Sequence, residues 1–222
     1  MTEITWHDFW PPVRLSLQIA LLSSFAALVL GVVAARWMSR ARFRGKVLVE
    51  TLFMLPLVLP PTVVGFLLLI VLGRRSWLGR LIEWVFDAPI IFSWYAGVVA
   101  SVVVAFPLVY QTMKTGFRSI NRSLEDAARS IGASEWQLFR YVSLPLVFQS
   151  LLSAYILGFA RALGEFGATL MIAGNIPGRT QTVPTAIYVA VDSGNMSMAW
   201  VWTGTVIVIS FLMLLFTGRK AP

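Results

Sequence analysis

The chain contains five long runs that lack Asp, Glu, Lys and Arg, and these runs constrain its fold more than any other feature. The runs are Leu15–Ala35, Thr51–Leu72, Ala88–Met113, Tyr141–Ala160 and Ser193–Gly218. A helix needs about 20 mostly apolar residues to cross the hydrocarbon core of a bilayer, and a chain of 24.6 kDa cannot bury five such helices within itself. We therefore predict an all-α, polytopic transmembrane helical bundle. It forms a single domain over residues 1–222, with spans at about 13–35, 48–72, 94–113, 142–163 and 199–217.

The basic residues are distributed unevenly between the two sides of these spans. Most of the 18 Lys and Arg residues fall on one side. They are Arg36, Arg40, Arg42, Arg44 and Lys46 after the first span, Lys114, Arg118, Arg122, Arg129 and Arg140 between the third and fourth, and Arg219 and Lys220 after the fifth. Short cytoplasmic loops carry an excess of Lys and Arg, so we predict the N-terminus outside and the C-terminus inside. This topology accounts for the net charge of +8, and we expect contact with membrane lipid but not with nucleic acid.

The residue types present exclude several kinds of chemistry. The chain has no Cys and a single His, His7, which excludes thiol catalysis, Cys-ligated metals and an H-E-x-x-H zinc site. We expect neither a metal site nor an enzyme activity on this chain. It also lacks a G-x-x-x-x-G-K-[ST] phosphate loop, so any ATP that drives the protein must be bound by another chain. Four of the five spans carry no ionisable residue at mid-depth, which weighs against the alternative of a self-contained secondary transporter.

The second predicted span is interrupted by Pro56, Pro60 and Pro61. Proline removes a backbone hydrogen bond and kinks a helix, and a membrane requires the freed carbonyls to be satisfied by neighbouring helices or a wet cavity. We predict a bent span beside a translocation path, with a kink used only for packing as the alternative. The uncharged piece Phe166–Gly178 is too short to cross and is predicted to be a loop or a re-entrant segment, and Val183–Val191 to form a short helix.

The cytoplasmic segment at residues 121–140 is predicted to contain two helices. Ser123 with Asp126 fits a capping box at the start of the first helix, and Gly132 occupies the position of a left-handed stop. Ser134 with Gln137 fits a second capping box. The first helix places four apolar side chains at i, i+3, i+4 and i+7, on one face. They are Leu124, Ala127, Ala128 and Ile131.

This apolar face has small alanines at its centre and charges beside it. That shape suits insertion into a groove on another protein. The alternative is an amphipathic helix that lies on the lipid headgroups, but such helices usually present bulkier Leu, Phe or Trp side chains.

The order Asp126-Ala127-Ala128, then Gly132, then Leu144-Pro145 resembles the E-A-A-x-x-x-G…L-P motif of binding-protein-dependent ABC transporter permeases. In that family the short helix is a coupling helix that sits in a cleft of a cytoplasmic ATPase subunit. Asp126 stands where the motif has Glu, with Glu125 just before it, so a carboxylate is kept. The resemblance implies a group of coupling residues: Glu125, Asp126, Ala127, Ala128, Ile131, Gly132, Leu144 and Pro145.

Further stretches are similar to molybdate permeases of this superfamily. They are LPLVLPPTVVG at 55–65, the run Arg161–Thr169 and the run Asn175–Gly178. The resemblance covers nearly the whole chain. It implies a permease of the type I ABC importer kind in a prokaryotic inner membrane, forming a homodimer with two copies of an ATPase that binds ATP and Mg, and an external molybdate-binding protein. Tungstate, sulfate or thiosulfate remain alternative substrates.

The path itself is predicted to be poor in fixed charge, because an oxyanion held tightly would leave slowly. Arg161 and Glu165 lie near a span, where ionisable residues are functional by default, yet their i, i+4 spacing also fits mutual pairing. We therefore interpret them mainly as a structural or gating pair, with direct substrate contact as the alternative. The candidate path or gate residues are Pro60, Pro61, Thr62, Arg161, Glu165, Thr169 and Asn175.

Overall fold

The computed structural model of the protein describes residues 6–218, and these residues form a helical membrane bundle. In chain order the helices are α1 (Trp6–Arg40), α2 (Lys46–Val58), α3 (Pro61–Leu72), α4 (Trp77–Phe86), α5 (Trp94–Arg118), α6 (Arg122–Ser130), α7 (Glu135–Leu138), α8 (Leu144–Leu146), α9 (Phe148–Leu163), α10 (Gly167–Ala173), α11 (Val183–Asp192) and α12 (Met196–Gly218). A π-helical turn at Phe139–Ser143 joins α7 to α8. Arg219 and Lys220, which contributed to the predicted orientation, lie outside the described residues.

The predicted spans correspond to two kinds of element. Within residues 6–218, α1, α5 and α12 are each long and apolar enough to cross a membrane. The other two predicted spans correspond to bent helix pairs, each of which is either a broken span or a re-entrant loop: α2 and α3 are bent by 114°, and the segment Glu135–Leu146 and α9 by 73°. The described residues thus form three continuous crossings, or up to five if each bent pair is one span.

The break between α2 and α3 confirms the predicted bend in the second span. Leu59 is extended, with φ −69° and ψ 142°, and Pro60 is extended as well. A residue before proline is driven out of the helical region, and proline has no N–H to continue the ladder. Pro61 then begins α3, because its missing N–H costs nothing at a first helical position.

The fourth predicted span, at about 142–163, does not begin as one straight helix. The chain forms the π-helical turn, then the short α8, and bends at Val147, whose φ and ψ are −98° and 12°. Pro145 lies in this stretch and lacks the N–H that an unbroken helix would use. The apolar composition of the segment identified a span but carried no sign of this bend.

The centre of the bundle is formed by α1, α5 and α9, which approach closely at glycines. A Cβ placed on Gly31 of α1 would lie 2.7 Å from Val109 Cγ1, and one on Gly158 of α9 would lie 2.8 Å from Val109 Cγ2. Small residues allow such approach between membrane helices. Met38, Tyr110 and other fully buried side chains complete this core.

The segment Phe166–Gly178 contains α10, which packs against α3 and α5 with Ala168 and Ile172 in a second core cluster. It is a short buried helix, in keeping with the expectation that this piece does not cross. Helix α11 (Val183–Asp192) matches the predicted short helix. Helix α4 was not predicted; Ser76 caps it by accepting a hydrogen bond of 2.8 Å from the Gly79 N–H.

Candidate functional site

Helix α6 begins earlier than its sequence suggested. Asn121 is its N-cap and accepts a hydrogen bond of 3.1 Å from the Ser123 N–H, so the predicted capping box of Ser123 with Asp126 is wrong. Asn is among the best N-cap residues, and it precedes Ser123 by two positions. The stop at Gly132 is confirmed by its φ of 88°.

The second capping box, at the start of α7, is confirmed. The Gln137 N–H donates to Ser134 Oγ at 3.3 Å, and the Ser134 N–H donates to Gln137 Oε1 at 2.8 Å. Two backbone donors at the start of α7 are thus satisfied. The structure therefore has the predicted order of a short helix, a sharp corner and a second helix.

The apolar face of α6 is open. Leu124 is 48% exposed and Ile131 is 88% exposed. Ala127 is exposed and Ala128 is half-buried. No other described element covers this face, and exposed apolar faces of this kind mark interaction sites.

The charged face of α6 turns toward the bundle through Glu125. Its side chain is only 13% exposed, and Glu125 Oε1 lies 2.8 Å from Arg36 Nη1 and 3.0 Å from Arg40 Nη2, both at the end of α1. Ser143 Oγ donates to the same oxygen at 3.0 Å. Burial alone would raise the pKa of Glu125, but the hydrogen bonds from Arg36, Ser143 and Arg40 hold that pKa below its usual range.

A second carboxylate extends this cluster toward solvent. Glu135 accepts a hydrogen bond of 2.8 Å from Arg129 Nε and pairs with Arg40. These bonds lower the pKa of Glu135 to about 2. Asp126, by contrast, is 71% exposed and pairs with Arg129 of its own helix, Nη1 to Oδ1, at 2.9 Å.

The two ends of the motif lie close together. Ser143 is fully buried, and its bond to Glu125 places α6 beside the start of α8, where Leu144 is half-buried and Pro145 is exposed. The two parts of the motif are thus joined through Ser143 and Glu125, with the apolar face of α6 open and its charged face turned toward the bundle.

Arg161 and Glu165 form an ion pair of 2.6 Å between Nη1 and Oε2. The Glu165 side chain is 1% exposed, and its Oε1 accepts a hydrogen bond of 2.9 Å from the Ala168 N–H. Glu165 thereby accepts from a backbone N–H in the first turn of α10 that has no partner within the helix. Glu165 thus joins Arg161 of α9 to the start of α10.

The predicted path residues of the second span lie beside α10. A Cβ placed on Gly167 would be 3.1 Å from Pro61 Cβ and 3.3 Å from the Thr62 nitrogen. Pro60, Pro61 and Thr62 are exposed. The structure therefore brings the broken span and the Arg161–Glu165 pair together through the start of α10.

The remaining two candidates lie deeper. Thr169 is 1% exposed, and its Cγ2 would be 3.5 Å from a Cβ on Gly97 of α5. It packs within the protomer and does not line an open surface. Asn175 Oδ1 is buried and has no hydrogen-bond partner among the described residues.

Comparison with known proteins identifies the family. The sequence profile described as "Binding-protein-dependent transport system inner membrane component" matches residues 27–220. The chain belongs to this family. It is a multi-pass membrane permease, and the segment at residues 121–140 lies within the matched residues.

Relatives of the permease share most of its length. It is 56% identical over 219 residues to YvgM of Bacillus subtilis, which bears the name of a molybdenum transport system permease protein, covering 99% of this chain and 96% of that one. It is 41% identical over 185 residues to the molybdenum transport system permease protein ModB of Escherichia coli strain K12, and the match covers 83% of this chain and 80% of that one. It is 37% identical to the sulfate transport system permease protein CysW of Synechococcus elongatus, covering 78% and 60%.

Solved structures show the same fold. The permease superposes on a chain of the inward-facing MetNI methionine ABC transporter with a TM-score of 0.76 at 16% identity, covering 99% of this chain and 97% of that one. A bacterial ABC transporter that imports alginate gives a TM-score of 0.77 at 15% identity, covering 97% and 79%. The fold is that of ABC importer permeases.

Among the described residues, a further ionic contact that the sequence did not predict joins α5 to α2. Lys114 of α5 is 7% exposed, and its Nζ lies 2.9 Å from Glu50 Oε1 of α2. The Nζ also lies 5.6 Å from the centre of the Tyr110 ring. The uncharged run predicted a span that ends at Met113, with Lys114 between the third and fourth spans, whereas α5 continues to Arg118.

Proposed function

We propose that this permease is the membrane subunit of a molybdate importer and that α6 docks into a separate ATPase that binds ATP and Mg. The open apolar face of α6 is the observation that carries the docking proposal. A helix that faced only solvent would gain nothing from exposing Leu124 and Ile131, whereas a groove on a partner would bury both.

Molybdate is favoured by the pattern of similarity. Two relatives named for molybdenum transport match at 56% and 41% identity over most of both chains. The sulfate relative CysW is 37% identical, and the match covers only 60% of its length. Sulfate is therefore the second candidate, and tungstate, which has the same charge and nearly the same size as molybdate, is a third to be tested beside it.

The assembly we propose contains two copies of the permease around one path, two ATPase subunits and an external molybdate-binding protein. The path would lie beside the broken second span, near Thr62, and the second copy would supply its other wall. The N-terminus would face outward and the C-terminus inward, because the basic ends of α1 and α5 and helix α6 belong on the cytoplasmic side.

Transport would proceed by alternating access. Closure of the ATPase dimer on ATP would bring the two α6 helices together, and the spans would follow largely as rigid bodies. Specificity would come from the external binding protein, since few charged side chains lie near the predicted path and conduction requires weak sites.

The docking proposal is tested by Ala127→Arg, which places a long cation on the apolar face without touching the Glu125 cluster. Burying an unpaired charge in an apolar groove is costly, so we expect the ATPase to be lost from the purified complex and uptake to stop. Ala127→Ser, which keeps the size, should retain both. Normal ATPase recovery with Ala127→Arg would contradict docking through this face.

The substrate is tested with the complete assembly in vesicles. We expect ATP-dependent uptake of radiolabelled molybdate to be abolished by excess unlabelled molybdate and left unchanged by equal sulfate. Faster uptake of sulfate than of molybdate would favour the sulfate proposal instead. Uptake without any ATPase would instead indicate a secondary transporter.

A further inference from the structure

The adjacent carboxylates Glu125 and Asp126 face in different directions. The Glu125 side chain is 13% exposed and makes its short contacts with α1, with Arg129 of its own helix farther away at 3.7 Å, whereas the Asp126 side chain is 71% exposed and contacts Arg129 at 2.9 Å. One residue of rotation on an α-helix turns a side chain by about 100°. The two acids can therefore serve different partners, one inside the protomer and one outside it.

Glu125 joins three elements that are distant along the chain. Its Oε1 lies within 3.0 Å of Arg36 and Arg40 on α1 and accepts a hydrogen bond from Ser143 at the end of the π-helical turn. Arg36 and Glu125 are separated by 89 positions in sequence. A single carboxylate thus links α6 to the first span and to the start of the fourth.

The arginine that holds Glu125 is itself fixed in place. The Arg36 guanidinium lies 5.5 Å from the centre of the Phe117 ring at the end of α5 and 5.8 Å from that of Phe139 in the π-helical turn. Contacts with two rings and a carboxylate restrict the guanidinium far more than a solvated ion pair would. The contact between Glu125 and Arg36 is therefore able to transmit a displacement.

One covalent connection of α6 runs through a glycine corner. On one side the chain turns at Gly132, whose φ of 88° is open to glycine and unfavourable for other residues. A Cβ placed there would have no atom of another residue within 4 Å, so no neighbouring element packs on that side of Gly132. A displacement of α6 would be absorbed partly at this turn if no contact through space carried it to the spans.

We propose that Glu125 is a positioning residue that couples α6 to the first and fourth spans, so that movement of α6 on the ATPase becomes movement of the spans. This inference rests on the proposed function. It divides the acidic pair of the motif: Glu125 transmits within the permease, while Asp126 remains available to the partner. Removing the Glu125 charge should therefore separate ATP hydrolysis from transport without releasing the ATPase.

The test uses Glu125→Gln in the full permease–ATPase assembly with its binding protein, reconstituted in vesicles. Three quantities are measured: the ATPase recovered per permease, the rate of ATP hydrolysis, and radiolabelled molybdate imported per ATP. We expect unchanged ATPase recovery, continued hydrolysis, and a fall of about tenfold in molybdate per ATP, a typical size for coupling between sites. Glu135→Gln is the matched control, since it alters the same cluster but leaves the Glu125 contacts with Arg36 and Ser143 in place, and it should retain the parental ratio.

A second variant keeps the proposal testable if Glu125→Gln does not fold. Ser143→Ala removes only the hydroxyl that joins Glu125 to the fourth span, and we expect a smaller fall in molybdate per ATP with full ATPase recovery. A parental ratio in whichever of these variants folds would overturn the proposal, and so would loss of the ATPase from Glu125→Gln, which would make Glu125 a docking residue. Failure of the parent permease to retain any ATPase would instead refute the proposed function.

Discussion

Gly65 of α3 occupies a position where one additional methyl group is expected to destabilise the permease. A Cβ placed there would lie 2.7 Å from Met171 Cβ and 2.8 Å from both the Cα and the carbonyl oxygen of Ala168. Carbon atoms pack best at about 3.5–4.0 Å. Two of these three atoms belong to the α10 backbone, so no side-chain rotation can relieve the overlap, and α3 must move away from α10.

The expected loss of stability follows from this displacement of α3. Forcing a methyl group into a well-packed contact typically costs about 1–3 kcal/mol, which for a chain of this size corresponds to a fall of about 3–10 °C in the unfolding midpoint. Alanine also gains about 1 kcal/mol over glycine in helix propensity. Gly204→Ala in α12 carries the same gain, and no atom lies within 4 Å of its added methyl group.

The assay is thermal unfolding of the purified permease in detergent, with Gly65→Ala and Gly204→Ala compared under identical conditions. We expect Gly204→Ala to match or exceed the parent and Gly65→Ala to unfold about 3–10 °C below Gly204→Ala, because both variants share the helix-propensity gain. Equal midpoints for the two variants would refute the reasoning, since they would mean that α3 and α10 do not pack at the distance seen here.

Two further predictions concern ionic contacts. Lys114→Met leaves the Glu50 carboxylate without its cation, so we expect the unfolding free energy to fall by about 3–5 kcal/mol. Adding Glu50→Gln to this variant should recover part of the loss, and no recovery would contradict pairing of Lys114 with Glu50. The pKa of Glu135 is lowered from 4.5 to about 2, so its stabilisation is present above pH 4.5 and is lost as the pH falls toward 2. Thermal unfolding should show the parent more stable than Glu135→Gln at pH 7, with the difference shrinking below pH 4.5; a constant difference would contradict this pairing.

The fold was predictable wherever its cause was local. Uncharged runs placed the three continuous helices, and Pro60 and Pro61 predicted the bend in the second span because they lack an N–H. The bend at Val147 was not predictable from residue types, since one nearby proline does not fix where a helix turns. Helix α4 does not stand out as an uncharged run, because Arg80 and Glu83 lie among its apolar side chains.

The outward-facing part of the candidate site, the apolar face of α6, could be predicted from the sequence. Periodicity identified the face formed by Leu124, Ala127 and Ile131, because helical spacing alone decides which side chains lie together. Periodicity could not identify which residues the opposite, charged face of α6 contacts. The partner of Glu125 is Arg36, 89 positions away, and only packing of the spans brings that guanidinium to the carboxylate.

The ionic contacts near α6 suggest how a force applied there would spread. Glu125 links α6 to Arg36 of α1, and Arg36 contacts the Phe117 ring at the end of α5. One helical turn before Phe117, Lys114 links α5 to Glu50 of α2. Buried ionic contacts tolerate little change in distance, because an unpaired charge in this environment is costly. A displacement of α6 is therefore expected to reach α1 and α5 together and then α2, and through α2 the bend at Pro60 beside the proposed path.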